Sequence, residues 1–571
     1  MNRDRARAAL SLAAIPGVSD RRRRASGPPE WTGCAGRRIA PIRPAHPPLE
    51  GEQFVSREAV SDVWDAVSAS GALSSDWRGL PSTDAAAHAQ VLAHLRSPAL
   101  ADWSASAARV GFCAHPIRLV GSSATVDRAT GEVTSTFSSV DTPERVTYVR
   151  CGNRRADRCL SCSRLYAADT FHLIRAGVAG GKSVPDTVTD NPLVFATLTA
   201  PSFGPVHVRP RGGGRCRPRR NPGDRCAHGR PTACFTRHEP EDPDLGQPLC
   251  RACYDYDSHI VWQWWAPELW RRFTIALKRH LAQRLGVAPS RLNDVASVQY
   301  AKVAEYQLRG AVHFHALIRL DGPKSPDGFS PAPSELGAAD LARAIEQVAG
   351  SVTMQVAPPT PDGPIRVLAF GPQLDARVVR DGHRPDDPEA PLSGEQVAGY
   401  LAKYATKSAN EAEARDNPHF RRLHSTARHL SCVARASDGD PKDNYNLLGK
   451  WAHTLGFRGH FATKSRRYSV TLGQLRRARQ RAQQRIAAAH REGRRIDLRD
   501  LEAELLADDE DETTLVIGTW FYAGSGWADA GQTALATATA ARAREYARER
   551  ACARRDHHIT EMSDTEPGRN P

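Results

Sequence analysis

The chain has 571 residues, with 78 Lys and Arg against 64 Asp and Glu, which leaves a formal net charge of +14 at neutral pH. That length suits about two to four domains with a large apolar core, and the Arg-rich stretches suit a polyanionic partner, although a GC-rich coding bias would also produce Arg, Ala and the three Met residues. No apolar run approaches the roughly 18 residues needed to span a membrane, and the short apolar stretch behind the first basic residues is too brief for a signal peptide, so the twelve cysteines are expected in a reducing cytoplasm, as metal ligands rather than disulfides.

Residues 1–50 are rich in Arg, Pro and Gly, include four consecutive arginines at 21–24, and read as a disordered basic arm able to touch DNA. Val60, Val63, Trp64 and Val67, then Ala86, Val91, Leu92 and Leu95, recur at helical spacing and predict a small helical region over 51–112. A cysteine-rich region, 113–260, follows and contains a strand-like apolar segment at 193–199. Residues 267–285 predict a helix with Leu269, Phe273, Leu277 and Leu281 on one face. Two strands are expected at 295–307 and 311–320, joined by a turn at Arg309 and Gly310. A helix over 334–350, a strand over 365–379 and a helix over 393–408 complete a core at 261–470. Beyond it, 471–571 reads as a charged helical region (helix 470–508) whose last 15 or so residues are disordered. This order predicts an α+β fold: an antiparallel sheet with helices on one side, carrying a zinc-binding insertion and flanked by helical and disordered segments.

Three constellations carry chemistry. In EYQLRGAVHFHALIR, alternate strand residues share a face, so His313 and His315 project together and can hold one metal ion. Glu305, across the turn, can complete a hard, partly open site suited to Mg2+ or Mn2+, which would polarise a phosphate. The competing view is two histidines on the polar face of an ordinary strand. Secondly, Ser393 with Gln396 resembles a capping box that opens the helix VAGYLAKYATK. Tyr400 and Tyr404 lie one helical turn apart, and Lys403 and Lys407 form a neighbouring basic row. Nearby ammonium groups and a metal-bound phosphate would favour a phenolate, whose reference pKa is about 10; alternatively the tyrosines are simply packed in a core. Thirdly, Cys226, Cys234, Cys250 and Cys253 offer four thiolates for a structural zinc site, and Cys151, Cys159 and Cys162 need a fourth ligand from Cys113, His115 or Cys216. The Arg- and Gly-dense loop between them, with Arg217, Arg219 and Arg220, reads as a phosphate-contacting loop or as plain solvated surface. Residues 451–468 mix aromatic and basic groups, as either a single-strand binding surface or a hairpin with an aromatic core would. The stretch AGVAGGKS at 176–183 nearly matches a P-loop, but Ala176 replaces its first glycine and a helix rather than a strand precedes it, so ATP binding is not expected.

The segment VFATLT, the His-hydrophobe-His pair and the Tyr-x-x-x-Tyr helix stand in the order of the replication initiators of the HUH endonuclease superfamily. Together with CGNRRADRCLSCSRLY, FATLTAPSFGPVH, VAEYQLRGAVHFHALIRLDG and GYLAKYATK, the chain over roughly 110–475 resembles actinomycete plasmid replication initiators with paired tyrosines. The resemblance implies His313, His315 and Glu305 as ligands of a catalytic metal. It implies Tyr400 and Tyr404 as nucleophiles that nick and rejoin single-stranded origin DNA, with Lys403 stabilising charge at the phosphate. A host helicase and polymerase would be partners. A paired-tyrosine transposase and a non-catalytic, zinc-containing DNA-binding regulator are the alternatives.

Overall fold

A computed structural model describes residues 85–127, 130–210, 212–221, 223–324, 329–360, 362–379, 397–401, 417–436, 445–494 and 514–564. The expected basic arm at 1–50, and the expected helix at 393–408 apart from 397–401, lie outside them. In chain order the elements are α1 (Ala85–Leu95), α2 (Leu100–Arg109), β1 (Ile117–Asp127), β2 (Val133–Ser138), β3 (Thr147–Val149), α3 (Leu160–Ala179) and β4 (Leu193–Leu198). There follow α4 (Tyr256–Arg284), β5 (Ser297–Tyr306), β6 (Val312–Asp321), α5 (Ala338–Ser351), β7 (Thr353–Val356), β8 (Arg366–Ala369) and β9 (Leu374–Val378). The last are α6 (Pro418–Ala436), β10 (Ala462–Lys464), α7 (Leu472–Arg491), β11 (Thr514–Ser525) and α8 (Ala530–Asp564). No described helix is long and apolar enough to cross a membrane.

Contacts divide the chain into two units, Met1–Tyr166 with Ala482–Pro571, and Ala167–Arg481. In the first unit β1 is central. β11 pairs with it antiparallel along its whole length, from Ile117 opposite Ser525 to Asp127 opposite Thr514, and β2 and β3 pair on its other side. Trp103, Ala107, Phe112, Cys113, Cys159 and Cys162 pack against Trp527, Ala536 and Ala540, and the Trp527 indole N–H donates to the Cys113 carbonyl at 2.9 Å. Residues 514–540 thus complete the core of a unit begun some 400 positions earlier. The strand β11 was not expected, and α8 continues to Asp564, past the expected start of a disordered tail.

The second unit is built on a five-stranded antiparallel sheet of order β10-β5-β6-β4-β9. The strands β4 (LVFATL), almost wholly apolar, and β6 (VHFHALIRLD), apolar apart from His313, His315, Arg319 and Asp321, are buried at almost every position. A strand of that kind needs cover on both faces. One face packs on α4, α5, α6 and the 3-10 stretch Tyr445–Thr454, in the larger core. The other carries Leu193, Phe195, Ala301, Val303 and Leu317 against Ile174 and Val178 of α3, the helical residues 397–401, and Tyr468. The expectation of helices on one side is therefore corrected: helices cover both. The buried Arg319 guanidinium fixes α3 by donating to the Gly177 carbonyl while paired with Asp321.

Two further differences have local causes. α4 begins at Tyr256 rather than near 267, capped by the Asp255 carboxylate accepting from the Ser258 amide at 2.8 Å. It runs through Pro267 because Ile260, Val261, Trp262, Trp264 and Ala266 are buried, and that burial offsets the roughly 3 kcal/mol interior-proline cost. The strand expected at 365–379 is two strands. Gly371 and Pro372 break it, and the Gly371 amide donates to the Thr199 carbonyl at 2.8 Å, so β8 pairs with β7 while β9 joins the main sheet.

Candidate functional site

The β5–β6 hairpin carries the first cluster. Its register sets Glu305 opposite His313 and Val303 opposite His315, and alternation turns all three polar side chains to the face shared with residues 397–401. Glu305 Oε2 lies 3.0 Å from His313 Nε2 and 3.0 Å from His315 Nε2. The three ligand atoms lie close enough together that the group could hold a metal ion. The neighbouring β4 sets Thr197 opposite His315, and Thr197 Oγ1 meets His315 Nδ1 at 3.1 Å. That contact leaves Nε2 directed at Glu305, the orientation a metal-ligating histidine takes from its second hydrogen bond. The side chains of His315, Glu305 and His313 are 5%, 13% and 16% exposed, so the cluster sits at the rim of the core with an opening to solvent. Burial raises the Glu305 carboxyl, but the hydrogen bonds and charge of the two histidines outweigh it and hold the group below the usual carboxylate range. Burial holds the His315 imidazole below its ordinary value, which favours the neutral form that binds metals.

Tyr400 stands beside this cluster. Its ring meets His315 edge-on with centroids 5.3 Å apart and Phe195 at 5.8 Å, and Phe195 stacks on His315. Val397, Ala398 and Leu401 are buried on the sheet, which seats the helical turn, while Tyr400 remains 39% exposed. Lys403, Tyr404 and Lys407 lie outside the described residues.

Among the described residues, three clusters of Cys and His have the ligand count and closeness to hold a metal such as zinc. The first is Cys113, Cys151, Cys159 and Cys162, so Cys113 rather than His115 or Cys216 joins the predicted trio. Its Sγ atom lies 3.7 Å from that of Cys159 and 3.6 Å from that of Cys162, near the roughly 3.8 Å expected between thiolates on tetrahedral zinc. The amides of Cys151 and Asn153 donate to Cys113 Sγ and Cys151 Sγ at 3.4 Å. The second cluster is Cys226, His228, Cys250 and Cys253. The four-thiolate set predicted there is corrected: Cys234 is not in it, and His228 takes its place, with Nδ1 3.2 Å from Cys253 Sγ. Cys234 pairs through its backbone with Arg217, at 2.7 and 2.9 Å, which puts it next to Cys216. It therefore belongs to the third cluster, His207, Cys216, Cys234 and His238. The three histidines were missed, although Cys-x-His at 226–228 and Cys-x-x-x-His at 234–238 were visible as ligand spacings. No described cysteine is in a disulfide.

Arg217, Arg219 and Arg220 are exposed. Residues 451–468 contribute to the core: Phe457 and Tyr468 are fully buried, and the Arg458 guanidinium lies over the Trp264 ring at 4.3 Å. The near-P-loop begins in the last turn of α3 and turns at Gly180 and Gly181, both at positive φ.

Residues 99–541 match the RepSA family, described as replication initiator protein, pSAM2. A Streptomyces ambofaciens protein named replication initiator protein is 42% identical over 473 residues, covering 80% of this chain and 93% of that protein. No solved structure matches the chain.

Proposed function

The chain belongs to the RepSA family of replication initiator proteins, and from that premise we propose that it starts rolling-circle replication of a plasmid by nicking single-stranded origin DNA through a tyrosine. The observation that carries this reading is the Tyr400 ring against His315, beside a carboxylate and two imidazoles within reach of one cation. Glu305, His313 and His315 would hold Mg2+ or Mn2+, which supplies positive charge to the scissile phosphate. The Tyr400 or Tyr404 phenol oxygen attacks phosphorus as its proton departs to solvent. The P–O3′ bond breaks, the 3′ oxygen takes up a proton to become the primer hydroxyl, and the 5′ phosphate stays on tyrosine. Attack by that or another 3′ hydroxyl reverses the exchange and rejoins the strand. Lys403 and Lys407 add positive charge where the phosphorane accumulates negative charge.

Cys113, Cys151, Cys159 and Cys162, and the Cys226, His228, Cys250 and Cys253 set, are assigned to structural Zn2+. The exposed Arg217, Arg219 and Arg220 contact DNA phosphates. Work after the nick falls to a host helicase and polymerase in the cytoplasm.

The test incubates the full chain with Mg2+ or Mn2+ and single-stranded oligonucleotides tiling the DNA around its own gene, and looks for an SDS-resistant protein–DNA adduct. The adduct is expected to survive in one or both of Tyr400→Phe and Tyr404→Phe and to vanish in the double variant. His313→Ala is expected to lower its rate by about 10- to 100-fold or more. No adduct on any strand with either metal sinks the nuclease and leaves a zinc-stabilised DNA-binding protein.

A further inference from the structure

The ligands of the second and third Cys/His clusters alternate along the chain. His207 and Cys216 belong to one, Cys226 and His228 to the other, Cys234 and His238 return to the first, and Cys250 and Cys253 to the second. We propose that residues 207–253 form a cross-braced module with two zinc ions, one held by His207, Cys216, Cys234 and His238, and the other by Cys226, His228, Cys250 and Cys253.

The third cluster fits zinc atom by atom. His207 Nδ1 lies 3.2 Å from His238 Nε2 and 3.8 Å from Cys216 Sγ, and Cys234 Sγ lies 3.6 Å from His238 Nε2. Ligand atoms on tetrahedral zinc are about 3.3–3.8 Å apart. The Asp242 carboxylate accepts from His238 Nδ1 at 2.6 Å, so the imidazole turns its Nε2 lone pair to the other three ligands. The Val208 amide donates to Cys216 Sγ at 3.2 Å, as amides do to thiolates. Few buried apolar side chains lie between His207 and Cys253; Ala233 and Leu245 are among them. Ligation, rather than a core, holds the loops.

Alternation has a mechanical consequence. The segment between Cys216 and Cys234 carries two ligands of the other ion, so neither ion can be held without fixing the loop that serves the other. The module is seated on the β5–β6 turn. The His207 amide donates to Gln247 and the Gly246 amide to the His207 carbonyl, both at 2.9 Å. A Cβ on Gly246 would lie 2.3 Å from the Leu308 backbone, and Arg309 donates to the carbonyls of Ala200 and Pro201 at 2.8 and 2.7 Å. Two metals thereby order the loops that carry the exposed Arg215, Arg217, Arg219, Arg220, Arg225 and Arg230. The assignment is independent of the tyrosine chemistry.

The experiment counts zinc in the full chain by native mass spectrometry, with Cys216→Ser/His238→Ala and Cys226→Ser/Cys250→Ser double variants alongside. Each is expected to lose at least one zinc per chain; retention of the wild-type count by Cys216→Ser/His238→Ala overturns the proposal. If the variants fail to fold, X-ray absorption of the wild-type zinc shell decides. One imidazole in every four ligands is expected from the three clusters. One in eight, the value when the third cluster holds no zinc, overturns it.

Discussion

Lys302 is 4% exposed, on β5 facing the larger core, with Nζ 4.4 Å above the Phe314 ring and 5.5 Å from that of Trp270. Burial lowers its ammonium from 10.5 to about 7. Between those values the unfolded chain binds a proton that the folded chain does not, so stability from this group rises with pH. The penalty is full below about pH 7, shrinks as pH rises from about 7 to 10.5, and is gone above about 10.5. Replacing Lys302 by Met is therefore expected to stabilise the second unit near neutrality, by at most about 5 kcal/mol at 1.36 kcal/mol per unit, less the lost cation–π attraction. Urea midpoints of both chains at pH 7 and 9.5 check this: the advantage of Lys302→Met must shrink at the higher pH, and a pH-independent difference removes the explanation. Thr197 is a second residue whose part emerges only in three dimensions, since its contact with His315 Nδ1 orients that imidazole toward Glu305 rather than adding a donor to the cluster.

Among the elements, the β5–β6 hairpin is the one on which the site depends, and its turn is held from several sides. The Gly310 amide donates to the Gln307 carbonyl at 2.8 Å, and the Gln263 side chain of α4 donates to the Gly310 carbonyl and accepts from the Val312 amide, at 3.0 and 2.9 Å. Gly310 has φ +81°, and a Cβ there would meet Leu423 and Leu455 at 3.0 Å. Gly131 has φ +74° with open space around it. Gly310→Ala is thus expected to cost about 1–3 kcal/mol, and Gly131→Ala only the smaller left-handed backbone penalty of about 1 kcal/mol. Chemical denaturation of the two variants distinguishes steric crowding from backbone strain, and equal losses would remove crowding from the account.

For the whole molecule, cohesion has two sources. The sheet of the second unit is held by an extensive apolar core, whereas residues 207–253, in the module proposed above, would be held chiefly through metal-bound Cys and His. Stripping zinc with a thiol-directed mercurial and a chelator is expected to open the Arg-rich loops to trypsin while α4, β5, β6 and α5 remain protected. Peptide mapping against time reads this directly. If 207–253 stays resistant after zinc is gone, ligation is not what holds it.

Local pattern was enough for what depends on neighbours in the chain. Alternation set His313 and His315 on one face, Arg309 and Gly310 marked the turn, and the 3.6-residue period marked the apolar face of α4. The almost wholly apolar text of β4 already carried the signal for cover on both faces, although its meaning depends on which segments supply that cover. Long-range pairing was beyond reach of such patterns: β11 with β1, Trp527 with Cys113, and the exchange of Cys234 for His228 are set by backbone register between distant segments. A cysteine is a ligand from its chemistry, but its partner is chosen by the strand beside it. Sequence by itself determined the family resemblance and the kinds of donor available; the tertiary structure decided which donors meet, because a metal site needs four atoms within a few ångströms and only folding brings them there.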